Sequence, residues 1–179
     1  MHQDEKTRFK ILSFLLQYPD ASLITDLKAS SDTIEAVFQG TDRERIKGLI
    51  RHLLQNPVLT LQEEFSATFD LEPENCLNLT YHLHGDEESR GAALADFAEA
   101  YRRAGLGMHS PELPDYLPMV LELVYLDNTS EHQRLLTEHG QAIRTLAKRL
   151  EARDSPYAGV FAVLAGMLGN PQQQKASEL

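Results

Sequence analysis

The chain of 179 residues has the length of a single domain, and its 42% hydrophobic and 25% charged residues are typical of a globular protein. Its formal net charge of -10 repels phosphate backbones and anionic headgroups, so nucleic acid is not expected as a partner. The charge fits a basic peptide as a partner, but it fits equally an acidic surface that serves only solubility. The single cysteine, Cys76, excludes a disulfide within the chain, and the charged opening segment lacks the apolar stretch of a secretory signal. No run of about 20 apolar residues occurs, and we expect a cytoplasmic protein that does not insert into a membrane.

Helical periodicity recurs along the whole chain, whereas sustained strand-like alternation does not, so the fold class is predicted to be all-α. The first helix is predicted from about Glu5 to Gln17, where Pro19 ends it, and a short helix is expected after Ser22. Further helix starts are indicated by residue pairs with the spacing of a helix cap, which are Asp32 with Glu35, Thr41 with Glu44, Ser130 with Gln133, Asn56 with Pro57, and Ser155 with Pro156.

The second half of the chain continues the helical pattern. A long helix is predicted from about Glu87 to Ala104, with Asp86 as its N-cap. Further helices are expected at about Leu117 to Leu126, Ser130 to Arg153, and Pro156 to Leu168. We therefore predict one compact bundle of about eight helices over residues 1–169, followed by a frayed tail at residues 170–179.

The most ligand-like cluster is the segment from Tyr81 to Asp86, which places His82, His84 and a carboxylate within five residues. In a helix, residues two apart lie on different faces, and the sequence identifies no further ligand, so a hydrogen-bonded structural turn is favoured. A metal-dependent hydrolase built on His82, His84 and Asp86 is the alternative from a different class, and bound metal after purification would support it. Nothing near Cys76 activates its thiol, and no glycine-rich nucleotide loop occurs. We predict no catalytic residue, metal ion or cofactor.

The strongest candidate for binding is the proline-punctuated segment from Ser110 to Pro118. Proline restricts the unbound chain, so less entropy is lost when a partner binds, and the carboxylates of Glu112 and Asp115 attract a basic partner. The apolar residues that follow, such as Leu117 and Leu121, can border a groove for the apolar side of a peptide. The same pattern also fits a rigid connection between two helices.

Three motifs stand out along the chain. They are Leu16-Gln17-Tyr18-Pro19, then Leu79-Thr80-Tyr81-His82-Leu83-His84-Gly85-Asp86 followed by Ser89-Arg90-Gly91, and last Glu112-Leu113-Pro114-Asp115-Tyr116-Leu117-Pro118. Together these three motifs resemble a known family, the NarJ branch of the TorD/DmsD/NarJ redox-enzyme maturation chaperones. The resemblance covers about residues 9–165, and the wider family often has histidine where this chain has Tyr116.

The resemblance implies a non-enzymatic cytoplasmic chaperone with a TorD/NarJ-like helical fold. Such a chaperone binds the amino-terminal region of the apo catalytic subunit of a respiratory nitrate reductase, or of a close molybdoenzyme relative. It supports insertion of the molybdenum cofactor and iron–sulfur clusters before membrane docking. A helical adaptor for an unrelated basic amphipathic peptide is a further alternative, and both the exact client and the choice between monomer and dimer stay open.

The site residues divide into two expected groups. Polar contacts with the client peptide are assigned to Glu112, Asp115 and Tyr116, and contacts with its apolar side to Leu117, Leu121 and Tyr125. A structural role, which is to organise the central turn and the helix after it, is assigned to His82, His84, Asp86 and Arg90.

Overall fold

Apolar residues at helical spacing form helices along most of the chain. The computed structural model describes residues 3–85, 88–107, 110–127 and 129–169. Within these ranges there are ten α-helices and no named β-strand, which confirms the all-α fold class with more helices than the eight or so expected. The helices are α1 (Gln3–Leu15), α2 (Ala21–Ala36), α3 (Gly40–Gln55), α4 (Val58–Phe65), α5 (Tyr81–His84), α6 (Ser89–Arg103), α7 (Leu117–Leu126), α8 (Ser130–Glu138), α9 (Gly140–Ala152) and α10 (Ala158–Met167).

Two short irregular helical segments follow α4. A π-helical segment, Ser66–Asp70, continues α4 directly, and a 3₁₀ turn, Pro73–Asn75, comes after it. None of the described helices is long and apolar enough to cross a membrane. The predicted N-cap Asp86 and the predicted tail at residues 170–179 lie outside the described residues.

The core is formed by helix faces that bury aliphatic side chains. Helix α1 lies along α7, and α10 lies against both α9 and α3. Full burial of one such side chain contributes about 1.5–3 kcal/mol relative to exposure, so these faces supply most of the folding free energy. Buried members of the faces include Leu12, Leu15, Leu121, Val124, Ile143, Leu146, Val160 and Leu164, each at most 1% exposed.

The contact between α3 and α10 depends on a glycine. A Cβ atom placed on Gly159 would lie 3.0 Å from the Cβ of Arg45 and 3.1 Å from its carbonyl oxygen, which is closer than an ordinary van der Waals contact. The absence of a side chain at Gly159 therefore lets the two backbones approach. This approach helps to seat α10, whose neighbouring Tyr157 supports the site described below.

Several predicted helix starts are wrong for identifiable reasons. Helix α2 is long rather than short, because the Asp20 carboxylate accepts the Leu23 amide (2.7 Å) and starts the helix at Ala21. Asp32 is therefore inside α2 and does not start a helix. Thr41 lies in the first turn of α3, whose cap position is Gln39. The caps of the other three helices lie one or two residues from the predicted caps Asn56, Ser130 and Ser155, and they are Pro57 for α4, Thr129 for α8 and Tyr157 for α10.

The predicted helix from Ser130 to Arg153 is divided into α8 and α9. The break is at His139, whose ring nitrogen Nδ1 donates to the Leu135 carbonyl oxygen (2.8 Å). In a continuous helix that carbonyl would accept the His139 backbone amide, so the side chain takes the place of a helical hydrogen bond. Helical spacing alone could not predict this interruption, because the apolar pattern continues through it.

Candidate functional site

Backbone hydrogen bonds join the start of the second motif, which begins at Leu79, to the third motif, which begins at Glu112. The Leu79 amide donates to the Asp115 carbonyl oxygen (3.1 Å), and the Leu117 amide donates to the Leu77 carbonyl oxygen (2.8 Å). Together these bonds form an isolated antiparallel bridge between Asn78 and Tyr116. Residues that begin the second motif and residues of the third motif therefore lie side by side, although they are far apart along the chain.

The side chain of Asp115 strengthens this pairing from inside the protein. Its carboxylate is fully buried and accepts hydrogen bonds from Asn78 Nδ2 (2.9 Å), the Thr80 amide (2.9 Å) and the Thr80 hydroxyl (2.6 Å). Arg90 contributes a guanidinium nitrogen at 3.8 Å from the carboxylate, and its Nε donates to the Thr80 hydroxyl (3.0 Å). Because a buried carboxylate is tolerated only when it is paired and hydrogen-bonded, these four residues form one unit, which we call the Asp115 junction.

The central turn is held by contacts of its own. The His82 ring nitrogen Nε2 donates to the Cys76 carbonyl oxygen (2.8 Å), and His84 Nδ1 lies 3.0 Å from the Ser89 hydroxyl. The guanidinium carbon of Arg90 lies 5.4 Å from the centre of the Tyr81 ring, within the range of a cation–π contact. Burial lowers the pKa of the His82 imidazole, which favours the neutral ring that makes this bond.

His82, His84 and Arg90, for which we predict a structural role, each contact a neighbour in or beside the turn. The two histidine rings are engaged with different neighbours rather than directed at one point. Among the residues that the structure describes, no group of three or more His, Cys, Asp and Glu side chains is placed to hold a metal ion. Asp86, the fourth residue of this set, is outside the described residues.

A groove of about 350 Å³ opens beside the Asp115 junction. It is lined by residues of the first and third motifs and by residues that directly precede the second motif. We call it the motif groove. Its lining residues are Tyr18, Phe65, Phe69, Asp70, Cys76, Leu77, Asn78, Glu112 and Tyr116. Sequence elements with no local relation to each other thus form one concave surface.

One side of the motif groove is a cluster of aromatic rings. Tyr18 meets Phe65 edge-on with ring centres 5.6 Å apart, and the centres of Phe65 and Phe69 are 4.9 Å apart. The fully buried Tyr157 packs against both phenylalanines at 5.8 and 5.1 Å. Edge-to-face pairs of this kind add about 0.5–1.5 kcal/mol each beyond the burial of their area, so this wall is well supported.

The π-helical segment places a carboxylate next to these rings. The Leu71 amide donates to the Ser66 carbonyl oxygen (3.0 Å), which is the five-residue spacing of a π-helical turn. Such turns are rare and are frequent at functional sites. Here the segment buries Phe69 in the aromatic cluster and leaves the next residue, Asp70, exposed at the groove.

Two exposed carboxylates give the motif groove a negative potential. Neither Asp70 nor Glu112 forms an ion pair within the part of the chain that the structure describes. Burial raises the pKa of the Tyr116 hydroxyl above its usual value, and the nearby Glu112 and Asp70 carboxylates raise it further. Both carboxylates therefore lie close enough to the same phenol to act on it electrostatically.

The structure separates the six residues expected to contact a peptide. Glu112 and Tyr116 line the motif groove, but Asp115, Leu117 and Leu121 are each 0% exposed. Direct contact between these three side chains and a peptide would require the interior to open, so a supporting role suits them better. Tyr125 is half-buried and does not line the groove, and the Lys10 ammonium lies 5.7 Å from the centre of its ring.

Seven of the nine residues that line the groove were not among the predicted binding residues, and four of them show which signals the sequence held. Tyr18 is in the first motif, so its position there was an available signal. Phe65 and Phe69 are four apart and predict a shared helix face, which fits a core as well as a groove. Asp70 has no local signal, because its place depends on the π-helical hydrogen bond.

The fold matches that of a solved structure. The crystal structure of a protein from Archaeoglobus fulgidus, described as a redox enzyme maturation protein, matches with a TM-score of 0.65 over 94% of both chains, at 21% sequence identity. This match shows that the two chains share one helical fold. The family described as nitrate reductase delta subunit matches residues 35–163, and the chain belongs to this family.

Individual relatives agree with the family assignment. The nitrate reductase molybdenum cofactor assembly chaperone NarJ of Escherichia coli (strain K12) is 33% identical over 156 residues, which cover 86% of this chain and 66% of that protein. The chain thus spans slightly less than two thirds of the length of that relative. The probable assembly chaperone NarJ of Bacillus subtilis (strain 168) is 29% identical over 167 residues, 93% of this chain and 91% of that protein. The predicted resemblance to the NarJ branch is confirmed, and the relatives are named as chaperones rather than enzymes.

Proposed function

We propose that this chain is a cytoplasmic assembly chaperone that binds the amino-terminal region of the apo catalytic subunit of a respiratory nitrate reductase, or of a close molybdoenzyme relative. It holds this client while the molybdenum cofactor and the iron–sulfur clusters are inserted and before the client docks at the membrane. The observation that carries the proposal is the motif groove, which unites aromatic rings with the carboxylates of Asp70 and Glu112. The names of the relatives, which refer to nitrate reductase molybdenum cofactor assembly, supply the choice of client.

The groove has the chemistry needed for a basic, partly apolar peptide. Its aromatic wall can bury apolar side chains, and its two exposed carboxylates attract cationic ones. A cavity of about 350 Å³ accommodates a few side chains rather than a folded surface, so the ligand is a peptide segment. The net charge of -10 steers such a cationic segment towards the protein as a whole.

Within this proposal the expected peptide-binding residues take different roles. Glu112 and Tyr116 contact the client together with Tyr18 and Asp70, which line the same groove. Asp115 holds the third motif against the second and so fixes the position of Tyr116. Leu117 and Leu121 anchor α7 in the core, where the Ser13 hydroxyl of α1 also donates to the Pro118 carbonyl oxygen (2.7 Å).

Binding alone is sufficient for this activity. A chaperone that binds only the unloaded client lowers the concentration of free client in proportion to its affinity, without any catalytic group. Release follows when the loaded catalytic subunit folds its amino-terminal region elsewhere, because the peptide is then no longer available to the groove. The proposal therefore assigns no catalytic residue and no resident cofactor to the chain.

The test is calorimetric titration of the whole chain with a synthetic peptide that comprises the amino-terminal segment of the nitrate reductase catalytic subunit of the same organism. We expect a dissociation constant of about 10 µM or tighter, which weakens as salt is added because exposed charges are screened. The double variant Asp70→Asn/Glu112→Gln should bind roughly tenfold more weakly, since two exposed ion pairs contribute up to about 1 kcal/mol each.

The matched control is Glu151→Gln, which removes one exposed carboxylate from α9, away from the groove lining. It should leave the peptide affinity within about twofold of wild type, because a distant exposed charge is largely screened. A wild-type chain that is folded by circular dichroism and binds no peptide would refute the proposal. If the control lost half as much binding free energy as the double variant, which removes two charges, net charge and not the groove would control binding.

A further inference from the structure

We propose that Arg149 and Arg153 are positioning residues for the motif groove, which neither of them lines. Both side chains hold residues 71–75, which we call the connecting segment because it joins two sides of the groove. This role rests on the proposed peptide-binding function and states what keeps the groove in the shape that binds. It gives α9, which contributes no lining residue, a part in client recognition.

The connecting segment lies between two sets of groove residues. Asp70 immediately precedes it, and residues 76–78, which also line the groove, immediately follow it. At its first residue, the Leu71 amide donates to the Ser66 carbonyl oxygen (3.0 Å) and so closes the π-helical turn that places Asp70 at the groove. A displacement of the connecting segment therefore moves Asp70 relative to residues 76–78.

The residues of the connecting segment hold it only weakly by themselves. Leu71 is 76% exposed, Pro73 and Glu74 are exposed, and regular structure within the segment is limited to one 3₁₀ turn. Asn75 is buried, but neither polar atom of its side chain has a hydrogen-bond partner among the described residues. A segment with few buried apolar contacts opens at a low cost in free energy unless other elements hold it.

Helix α9 supplies this support. The Arg149 guanidinium donates through Nη1 to the Glu74 carbonyl oxygen (2.5 Å), and its Nη2 lies 3.6 Å from the Glu74 carboxylate. Four residues later, Arg153 Nη2 lies 3.6 Å from the Glu72 carboxylate. Hydrogen bonds from a charged donor are stronger than neutral ones, and α9 is a firm base because its apolar face is buried. The two arginines thus hold the connecting segment at two points.

Charge and position predict opposite effects when these arginines are lost. A cation on the chaperone repels a basic peptide, so on charge alone the removal of Arg149 and Arg153 would tighten binding. If the arginines hold the connecting segment, their removal weakens binding, because the apparent dissociation constant rises as the fraction of molecules with a formed groove falls. The sign of the change therefore distinguishes positioning from electrostatic steering.

The first measurement needs no client and uses the single cysteine as a probe of the groove. Cys76 lines the groove and is half-buried, and this burial raises the pKa of its thiol. We expect iodoacetamide to alkylate Cys76 about threefold faster in Arg149→Gln/Arg153→Gln than in wild type, as measured by mass spectrometry, because the groove opens more often. The loss of cations alone would instead slow the reaction, since it disfavours the thiolate that reacts.

The second measurement repeats the calorimetric titration with the amino-terminal client peptide. The double variant should bind about tenfold more weakly than wild type, and Arg149→Gln alone about fivefold more weakly. Arg149→Lys keeps a charged donor for the Glu74 carbonyl oxygen and should stay within about twofold of wild type.

The matched control is Lys148→Gln, which removes a cation from the exposed neighbouring position of α9. Among the described residues, no ion pair joins Lys148 to the connecting segment. Both the alkylation rate and the peptide affinity of this variant should lie within about twofold of wild type, because a distant exposed charge is largely screened.

The two measurements separate this role from the proposed function. Faster alkylation and weaker peptide binding in the double variant, with neither change in Lys148→Gln, support the positioning role. An unchanged alkylation rate in the folded double variant overturns it, and so does a double variant that binds the peptide as tightly as wild type. A wild-type chain that binds no peptide refutes the proposed function instead, and the alkylation rates then still decide whether the arginines hold the groove in shape.

Discussion

Two carboxylates of the third motif, three residues apart, have opposite surroundings. Asp115 is completely buried and engaged by Asn78, Thr80 and Arg90, whereas Glu112 is exposed at the motif groove and forms no ion pair among the described residues. Asp115 holds the third motif against the residues around Asn78 and Thr80, whereas Glu112 is available to a ligand. Two acids in one short motif therefore do not imply two acids with one role, because burial and partners decide what each can do.

The contrast is tested most strongly by removing the buried carboxylate. Asp115→Ala leaves the donors of Thr80 and Asn78 and the charge of Arg90 without their acceptor inside the protein. We expect the free energy of unfolding, measured by urea denaturation with circular dichroism, to fall by about 3–5 kcal/mol. The paired variant Glu112→Ala should change it by less than about 0.5 kcal/mol, as is usual at exposed positions. Equal losses in the two variants would contradict the division of roles.

A smaller effect is expected when the other side of the junction is changed. Arg90→Met keeps much of the aliphatic length but removes the contacts with Thr80, Asp115 and the Tyr81 ring, and should cost about 1–3 kcal/mol of unfolding free energy. Combined with Asp115→Asn in a double-mutant cycle, it should show a coupling energy of about 0.5–3 kcal/mol, because the two side chains belong to one network. If the losses of unfolding free energy in the two single variants were strictly additive, the 3.8 Å contact between Arg90 and Asp115 would contribute nothing to stability.

The smallest effect concerns His82 and His84, two half-buried histidines with different hydrogen-bond partners. Burial lowers the pKa of His82 in the folded chain below its ordinary value of about 6.5, so the unfolded chain binds a proton more readily below that pH. The stability that this group contributes is present above pH 6.5 and is lost as the pH falls towards the folded pKa. Urea denaturation between pH 7.5 and 5.5 should therefore show a shallower loss of stability in His82→Gln than in wild type.

His84→Gln is the matched control for that experiment, since His84 is two residues away and its hydrogen bond is to the exposed Ser89 hydroxyl. We expect its stability to follow pH as the wild type does. If the two variants changed the pH dependence equally, the effect could not be ascribed to the burial of His82.

The sequence was sufficient to predict those helices whose ends depend on nearby residues, such as prolines and the start of an apolar run. Helix α7 occupies the predicted residues, because prolines exclude a regular helix before it and its apolar run begins at Leu117. The division between α8 and α9 could not be predicted, since it depends on the bond of one His139 side chain to a backbone carbonyl. Local pattern thus gives the existence and type of helices, and single side-chain bonds change their ends.

The candidate site was predictable only in part, and for a related reason. Glu112 and Tyr116 were identified because charge and proline lie close together in the sequence. The burial of Asp115 could not be recognised, since its partners Asn78 and Thr80 are 37 and 35 residues earlier. Asp70 was missed because a π-helical turn, which no local pattern announced, brings it to the groove.

The aromatic support of the motif groove has a consequence for the order of events during synthesis. The groove needs Tyr18, residues 65–78 and residues 112–116, and its phenylalanines rest on Tyr157. A ribosome makes these residues in sequence, so the groove is completed only after most of the chain has left it. An unfinished copy of this protein therefore lacks the groove, and under the proposed function only a molecule whose own folding is nearly complete would bind a client.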